Sequence, residues 1–569
     1  MLAPTKGLGD SLIQGIAKVF KPGRSPKTLD EGQAWYARQA RLGTSRQGGL
    51  ASGKDFNILN YGAKAGGVVD CSAAVRKAVA AAAAPHAAGV THRVVVPAGR
   101  FLTGSFGLGT DVVLYLSKGA VLLGSTVKSG YPNNHDQWNW DPALIDVHNC
   151  SRCGIEGEGA VDGQAPALHD GSSVWVDHYD PLNNFLQART WGNVNGCQGE
   201  CRPKLVRFTD CTDVAIIGVT LRNSPDWTQL YRRCRNVLLQ GISVSGSQIW
   251  GNNDGVDFES GNNITVRDSS FIMGDDGIVF ASGNTNPNRV SSPGLPLWDV
   301  TISNVSISSK SSAIKFEAID FGKCDHGSVS GVTINNVRIF NSSRGIGFQL
   351  RSGRGSFHNI SIRNVEIETM FPTGTNWWGS GEPIWITAIG TTPSEQPPAS
   401  ALGTISDVSF TNISAVAENS LLISGIGRPI GPLSFKNVSL TLLAPGARSN
   451  CTCRKGRNET YAADGSLQPM SCQDYRPLSP PATSSWHCPD GIHQCPRLGN
   501  MTAALRVEGA GNATLADFVI PYSSPDKGGV CVQRATLPKE LDPNEQGFKL
   551  LGEPVSCMPP SADAVPARV

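Results

Sequence analysis

A short unit that recurs through the middle of the chain restricts the possible folds more than any other feature. Asn, Asp or Gly is followed by Val or Ile, by one variable residue and by an apolar residue. The shortest interval is 23 residues (213 to 236) and the longest is 48 (359 to 407). Strands this short bury a core only when they stack, so the repeat predicts a solenoid, with loop insertions in the longer intervals. The units begin at Asp213, Asn236, Asn263, Asp299, Gly331, Asn359 and Asp407.

Among solenoids and repeat folds, a parallel β-helix fits best. The L-x-x-L-x-L signature of leucine-rich repeats is absent, and a propeller needs about 40–50 residues per repeat. Asparagines at equivalent turns of a β-helix can hydrogen-bond along the stack as a ladder. Before the repeats, residues 70–84 (DCSAAVRKAVAAAAA) predict a helix with Asp70 as its N-cap and Pro85 as its stop, and this helix would cap one end of the stack.

The chain divides into four predicted regions. Residues 1–53 are basic, lack a strand pattern and predict a poorly ordered arm. Residues 54–447 form the β-helix, and residues 448–498, rich in Cys and Pro, predict an insertion or cap. Residues 499–569 contain the last strand or strands and an irregular tail.

Composition limits the partners and the compartment. A net charge of +2 gives no indication of nucleic-acid binding. The sequence contains no run of 18 apolar residues, so it predicts no membrane span. Fifteen cysteines favour disulfides over a zinc site, with free thiols as the remaining alternative. Eleven N-x-S/T sequons suit a secreted or cell-wall glycoprotein, although an Asn-rich repeat also produces sequons by chance. Residues 1–20 lack the apolar core of a signal peptide. We expect a monomer.

Two acidic motifs lie one coil apart. N-N-D-G spans Asn252–Gly255 and G-D-D-G spans Gly274–Gly277, so Asp254 and Asp275 are 21 residues apart. Neighbouring coils pack about 4.8 Å apart. This spacing predicts that Asp254, Asp275 and Asp276 converge on one face, provided that the glycines allow the chain to bend between the two adjacent aspartates.

Three converging carboxyl groups suit acid–base chemistry. Like charges at close range raise the pKa of one carboxyl, which then stays protonated while another activates water, as inverting glycoside hydrolysis requires. Two simpler interpretations compete with this one. Asp and Asn next to Gly are common turn residues, and clustered carboxylates also bind calcium.

These motifs resemble glycoside hydrolase family 28, the polygalacturonase group of right-handed parallel β-helices. The resemblance covers about residues 56–435 and includes FNILNYGAKAGGVVDCSAAV and VVVPAGRFLTGSF. N-N-D-G and G-D-D-G are similar to the family's N-T-D and G-D-D. The resemblance implies that Asp275 is the general acid, that Asp254 and Asp276 hold the attacking water, and that Asn252 supports Asp254 or the substrate. It implies no cofactor and no metal.

Two family motifs are missing. No G-H-G follows one coil later, where the chain reads SSAIKFE, and the R-I-K that binds the galacturonate carboxylate is incomplete. Its place falls on Gly347-Phe348-Gln349, with Arg351 just beyond, or on residues 313–315, where only Lys315 matches. Lys315, Gln349 and Arg351 are therefore candidate substrate-binding residues. The alternative for Lys315 is that it neutralises the aspartates. Trp377, in NWWGSGEPIWI, would stack on a sugar or pack under a loop.

The sequence thus predicts a hydrolase of pectin-type or related polysaccharide. A polysaccharide lyase on the same fold, with calcium and a basic residue, is the first alternative. A catalytically inactive carbohydrate-binding β-helix is the second.

Overall fold

The structure is a computed structural model that describes most of residues 52–443 and four strands beyond them. The gaps are 88, 127, 132–141, 166–175, 181–184, 191–202, 249–251, 283–294, 319–326, 351–354, 371–380, 390–402, 419–420 and 427–429. The predicted arm of residues 1–53 falls almost entirely outside the described residues, and the Cys- and Pro-rich region 448–498 falls wholly outside them.

Short strands dominate the described part of the chain. The first fifteen are β1 Asp55–Asn57, β2 His92–Val96, β3 Gly99–Thr103, β4 Val112–Leu116, β5 Ala120–Gly124, β6 Ala143–His148, β7 Ser151–Gly157, β8 Ala160–Asp162, β9 Val176–Asp180, β10 Phe185–Thr190, β11 Lys204–Thr209, β12 Thr212–Ile217, β13 Thr220–Arg222, β14 Gln229–Gln240 and β15 Ser243–Ser245. The others are β16 Val256–Met273, β17 Ile278–Ala281, β18 Leu297–Ser309, β19 Ser312–Ala318, β20 Val329–Ser342, β21 Arg344–Leu350, β22 Phe357–Thr369, β23 Glu382–Ile389, β24 Ile405–Ala417, β25 Leu421–Ile426, β26 Leu433–Leu442, β27 Leu505–Glu508, β28 Phe518–Ser524, β29 Gly529–Ala535 and β30 Ser556–Met558.

Neighbouring coils pair in parallel. β12, β14, β16 and β18 follow one another in this way, with Val214 beside Val237, Val237 beside Ile264, and Ile264 beside Val300. Twenty-eight of the described strands join one continuous sheet, while β9 and β10 form a separate antiparallel pair. Connections between parallel strands are almost always right-handed. The fold is the predicted right-handed parallel β-helix.

The first residue of every repeat unit lies in the left-handed backbone region. Its φ ranges from 52° at Asn263 and Asp407 to 62° at Gly331. Only Gly, Asn and Asp adopt this conformation at little cost, which explains why the unit begins with one of them. The predicted ladder is also present, since Asn236 donates to Asp213 over 2.7 Å and Asn263 donates to Asn236 over 2.9 Å.

The interior of the coil contains a column of aromatic rings behind the two acidic motifs. The rings of Phe258 and Phe280 are 6.3 Å apart, those of Phe280 and Phe316 are 4.7 Å apart, and those of Phe316 and Phe348 are 4.3 Å apart. All four side chains are fully buried. Successive side chains of a strand point to opposite faces, so the residues before and after each aromatic in its strand face outward. The column therefore fixes which side chains reach the outer surface.

The capping helix α1 spans Ser72–Ala82 and packs its Ala- and Val-rich face against the first coil. It begins two residues later than predicted, because Cys71 occupies the N-cap position. Asp70 still accepts a hydrogen bond from the Ser72 N–H over 2.8 Å. Two 3₁₀ helices cover Ile58–Tyr61 and Lys128–Gly130. None of the described helices is long and apolar enough to cross a membrane.

The described cysteines include one disulfide, between Cys150 and Cys153. Cys71, Cys211 and Cys234 are buried thiols. Three further pairs of cysteines that are close in the sequence lie outside the described residues: Cys197 and Cys201, Cys451 and Cys453, and Cys488 and Cys495.

Candidate active site

A bend between β16 and β17 carries the G-D-D-G motif. The side-chain oxygen of Asn253, in the coil before, accepts the N–H groups of Gly274 over 2.9 Å and of Asp275 over 3.0 Å. A Cβ on Gly277 would lie 2.5 Å from the carbonyl oxygen of Ala313, so a larger residue at this position would push the coils apart. The glycine and the Asn253 amide together explain how two adjacent aspartates turn to the same face.

The structure brings the three predicted aspartates together. One carboxyl oxygen each of Asp254, Asp275 and Asp276 lies within 4.8 Å of the others. The residues are 6%, 4% and 2% exposed, respectively. The Gly255 N–H donates to the Asp276 carbonyl over 2.9 Å, which places N-N-D-G directly beside G-D-D-G in the stack.

The surroundings of Asp254 and Asp275 differ. Asp275 accepts the N–H of Asn252 over 2.7 Å and the N–H of Asp276 over 2.9 Å. The Oδ1 atom of Asp254 is buried and forms no hydrogen bond with any described residue. A buried carboxylate is stabilised by donors, and Asp275 has them, whereas this oxygen of Asp254 does not.

Burial and neighbouring charge raise the pKa of both carboxyl groups. Burial, followed by the charge of Asp276, raises the pKa of Asp275 to about 7. Burial and the charge of Asp275 raise the pKa of Asp254 well above its usual range. The site therefore retains at least one proton under mildly acidic conditions, which is the state that an acid catalyst needs.

Lys315 lies against Asp276 rather than facing an open groove. Its Nζ is 2.8 Å from Asp276 Oδ2 and 2.6 Å from Glu317 Oε2. The Ser312 N–H donates to the other oxygen of Asp276 over 2.8 Å. Burial lowers the pKa of Lys315, but Asp276 and Glu317 outweigh it and the pKa is raised. Lys315 is thus a fixed ammonium that balances the charge of Asp276.

The remaining predicted contacts are only partly described. Asn252 lies in a left-handed turn (φ 58°), and its N–H holds Asp275. Gln349 is buried on the outward side of β21 and pairs in register with Glu317. Arg351 and Trp377 lie outside the described residues.

Four further residues near the site were not predicted from the sequence: Asn253, Glu317, Asp257 and Arg344. Asp257 is buried on the outer face, and burial together with Glu259 raises its pKa well above the usual range. A signal for Arg344 was present, because S-S-R-G, residues 342–345 at the start of β21, occupies the same place in its coil as G-D-D-G does before β17.

The three carboxyl groups also form a plausible donor set for a cation, since oxygen ligands suit calcium and magnesium. Lys315 already supplies a positive charge to Asp276 at 2.8 Å. The residues therefore fit acid–base chemistry without requiring a second cation.

Comparisons with known proteins identify the family of the chain. The model of the family "Glycosyl hydrolases family 28" matches residues 87–455. A probable polygalacturonase of Vitis vinifera is 24% identical over 70% of this chain and 76% of its own length. An exo-poly-alpha-D-galacturonosidase of Dickeya chrysanthemi is 28% identical over 39% of this chain and 41% of its own length.

Solved structures show the same fold. An exopolygalacturonase from Thermotoga maritima has a TM-score of 0.55 at 19% identity, covering 72% of this chain and 91% of its own. A polygalacturonase from Erwinia carotovora has a TM-score of 0.52 at 18% identity, covering 70% and 95%, respectively. The family match spans more than half of the chain, and the chain belongs to glycosyl hydrolase family 28 and is a glycoside hydrolase.

Proposed function

We propose that this enzyme hydrolyses glycosidic bonds of galacturonate-containing pectic polysaccharide, with Asp275 as the general acid. The observation that carries the proposal is the convergence of three aspartates from two adjacent coils within 4.8 Å. Because the pKa of Asp275 is raised to about 7, this carboxyl is protonated at the acidic pH of plant cell walls and can protonate the leaving oxygen. The pKa of Asp254 is raised as well, so the acid role is assigned to Asp275 by the match of G-D-D-G to the family motif rather than by its pKa.

In this proposal Asp254 and Asp276 hold the attacking water. A water at about 2.8 Å from each of two acceptors bridges oxygens roughly 4.6 Å apart, and the carboxyl oxygens lie within 4.8 Å. Lys315 and the Ser312 N–H fix the orientation of Asp276. A water that donates to Asp254 favours its ionised form, which is the form that accepts the proton of the water.

The inverting course of the reaction remains part of the proposal. Inverting enzymes usually separate their acid and base by about 6.5–9.5 Å, whereas retaining enzymes separate theirs by about 5–5.5 Å. The closest oxygens in this cluster are nearer than the first range. Support for inversion comes from the pairing of N-N-D-G with G-D-D-G in adjacent coils.

The substrate is proposed from the names of the relatives. Relatives from Vitis vinifera, Prunus persica and Zea mays are named as polygalacturonases or exopolygalacturonases. Asn252, Gln349, Arg351 and Trp377 remain candidate sugar contacts. Lys315 is less suited to bind a substrate carboxylate than the sequence suggested, because Asp276 and Glu317 already occupy it.

A lyase would require a basic residue that accepts a proton from the sugar. The lysine at this site has a raised pKa because Asp276 and Glu317 surround its ammonium. A lysine held as its ammonium has no lone pair with which to accept a proton. The arrangement therefore favours hydrolysis over elimination.

We also propose that the enzyme is monomeric and acts outside the cell or in the cell wall. The Cys150–Cys153 disulfide supports this location, because disulfides persist in oxidising compartments. The sequons agree with it.

The test is product analysis with the full chain on polygalacturonate, a sulfated algal galactan and a neutral glycan. We expect new reducing ends from polygalacturonate without a rise in the absorbance of unsaturated uronates. A calcium-dependent rise in that absorbance would show a lyase. Tight binding without any turnover would show an inactive binding protein.

A further inference from the structure

Arg344 lies on the line of residues that leads away from the aspartates along the stack. It begins β21 and pairs in register with Ser312 of β19. The Ser312 N–H in turn holds Asp276 over 2.8 Å. At about 4.8 Å per coil, Arg344 starts two coils, or roughly 10 Å, from Asp276. This distance places it beside a neighbouring sugar of a bound polymer rather than beside the cleaved bond.

The side chain of Arg344 crosses the outer face above Gly347. Ile346 and Phe348 are fully buried in the interior, so Gly347 between them faces outward. A Cβ on Gly347 would lie 3.3 Å from Arg344 Cδ and 3.3 Å from Ser312 Oγ. The missing side chain at this position leaves room for Arg344. Gly347 itself pairs in register with Lys315 of the preceding coil.

The guanidinium group reaches the next coil and has weak anionic contacts there. It lies 3.9 Å from the centre of the Trp385 ring. Its Nε is 3.4 Å from Glu382 Oε2, which is long for an ion pair, and this nitrogen forms no hydrogen bond with the described residues. A guanidinium presents donors in a fork that matches a carboxylate. Arg344 is thus oriented by a ring but incompletely bonded.

We propose that Arg344 binds a carboxylate of the substrate, on a sugar next to the one that is cleaved, in exchange for Glu382. The Trp385 ring fixes the orientation of the guanidinium group, and Glu382 is the anionic partner of this group until substrate binds. Lys315 does not take this role, because Asp276 and Glu317 already surround it. This inference rests on the proposed function, since it requires a substrate that carries uronate groups.

The test measures binding by calorimetry in the full chain with Asp275→Asn, which prevents turnover. The two ligands are trigalacturonate and its fully methyl-esterified form, which differ in charge. Arg344→Gln is expected to weaken trigalacturonate binding about 10- to 100-fold, the range for a lost charged hydrogen bond. Binding of the methyl ester should change less than about twofold, since it offers Arg344 no anion.

Glu382→Gln is the second variant, and its expected effect has the opposite sign. Removing the competing carboxylate should strengthen trigalacturonate binding and leave the ester unchanged. Equal weakening of both ligands by either variant would show that the Arg344–Glu382 pair only supports packing. A preference for trigalacturonate that survives Arg344→Gln would overturn this inference alone. A parent protein that binds neither ligand would contradict the proposed substrate itself.

Discussion

At the scale of single residues, burial and neighbouring charge give three identical side chains different properties. Asp276 is paired with Lys315 over 2.8 Å, and Asp275 accepts two backbone N–H groups. Asp254 has one buried oxygen without a described partner. Active sites often hold such poorly compensated groups, because the substrate or the attacking water completes their bonding.

The burial of Asp254 predicts a pH-dependent cost in stability. Its pKa is raised in the folded chain, so the folded state retains a proton that the unfolded state loses as pH rises above its usual pKa. Stability falls as pH rises through this window. Asp254→Asn should therefore raise the melting temperature at pH 7.5, on the order of 2–5 °C, and raise it less at pH 4. A melting temperature raised equally at both pH values would contradict this account.

Lys315 is expected to set the pH range of activity. Its charge lowers the pKa of both Asp254 and Asp275, against burial and carboxylate repulsion. Lys315→Met should shift both limbs of the kcat/KM profile to higher pH and reduce its maximum, whereas Lys315→Arg, which keeps the charge, should shift it less. A rise in KM for acidic substrates without any shift of the pH profile would instead show that Lys315 binds a substrate carboxylate.

At the scale of the coil, the turn residues have two roles: they adopt the left-handed conformation of the turn, and their side chains form the hydrogen-bonded ladder. Asn236 adopts a left-handed conformation with φ 54°, donates to Asp213 over 2.7 Å and accepts from Asn263 over 2.9 Å. Few residues combine tolerance of that conformation with a donor and an acceptor on one short side chain. The repeat is visible in the sequence for this physical reason.

Substitutions of Asn236 separate the contribution of the left-handed turn from that of the ladder. Asn236→Gly keeps the turn but loses the ladder, and should cost about 1 kcal/mol of unfolding free energy. Asn236→Ala loses both and should cost about 2–3 kcal/mol. Denaturant unfolding of the two variants measures the difference. Equal costs would mean that the left-handed turn makes no separate contribution.

The same coil explains how much of the site the sequence could predict. Asp254 and Asp275 are separated by one uninterrupted coil, so their spacing in the sequence was enough to predict that they lie close together. Arg344 is separated from Asp276 by 68 residues, from 276 to 344, over two coils with insertions of unequal length, and the register across these insertions is not visible in the sequence. The pairing of Lys315 with an aspartate was one of the two alternatives predicted for this lysine. Its second partner, Glu317, was missed because that contact depends on side-chain directions.

At the scale of the whole molecule, stacking of the coils places equivalent residues of successive repeats in rows on the outer surface. The aromatic column through Phe258 and Phe280 holds the interior in register. Outward residues of the same strands then form rows along the stack, one of which runs from Asp257 through Val279, Lys315 and Gly347 to Trp385. A polymer substrate lying along the stack would meet these rows in order, which suits the proposed recognition of a polysaccharide.

The most direct measurement compares Asp275→Asn and Asp254→Asn on two substrates, polygalacturonate and a 4-nitrophenyl glycoside of the same sugar. Loss of a general acid matters little when the leaving group needs no proton, whereas loss of the group that holds the water affects both substrates. We predict that Asp275→Asn loses at least about 10³-fold on polygalacturonate, with its circular dichroism unchanged, and far less on the nitrophenyl glycoside. Asp254→Asn should lose activity on both. Retained activity of Asp275→Asn on polygalacturonate would contradict the account, and recovery of Asp254→Asn on the nitrophenyl glycoside would move the acid to Asp254.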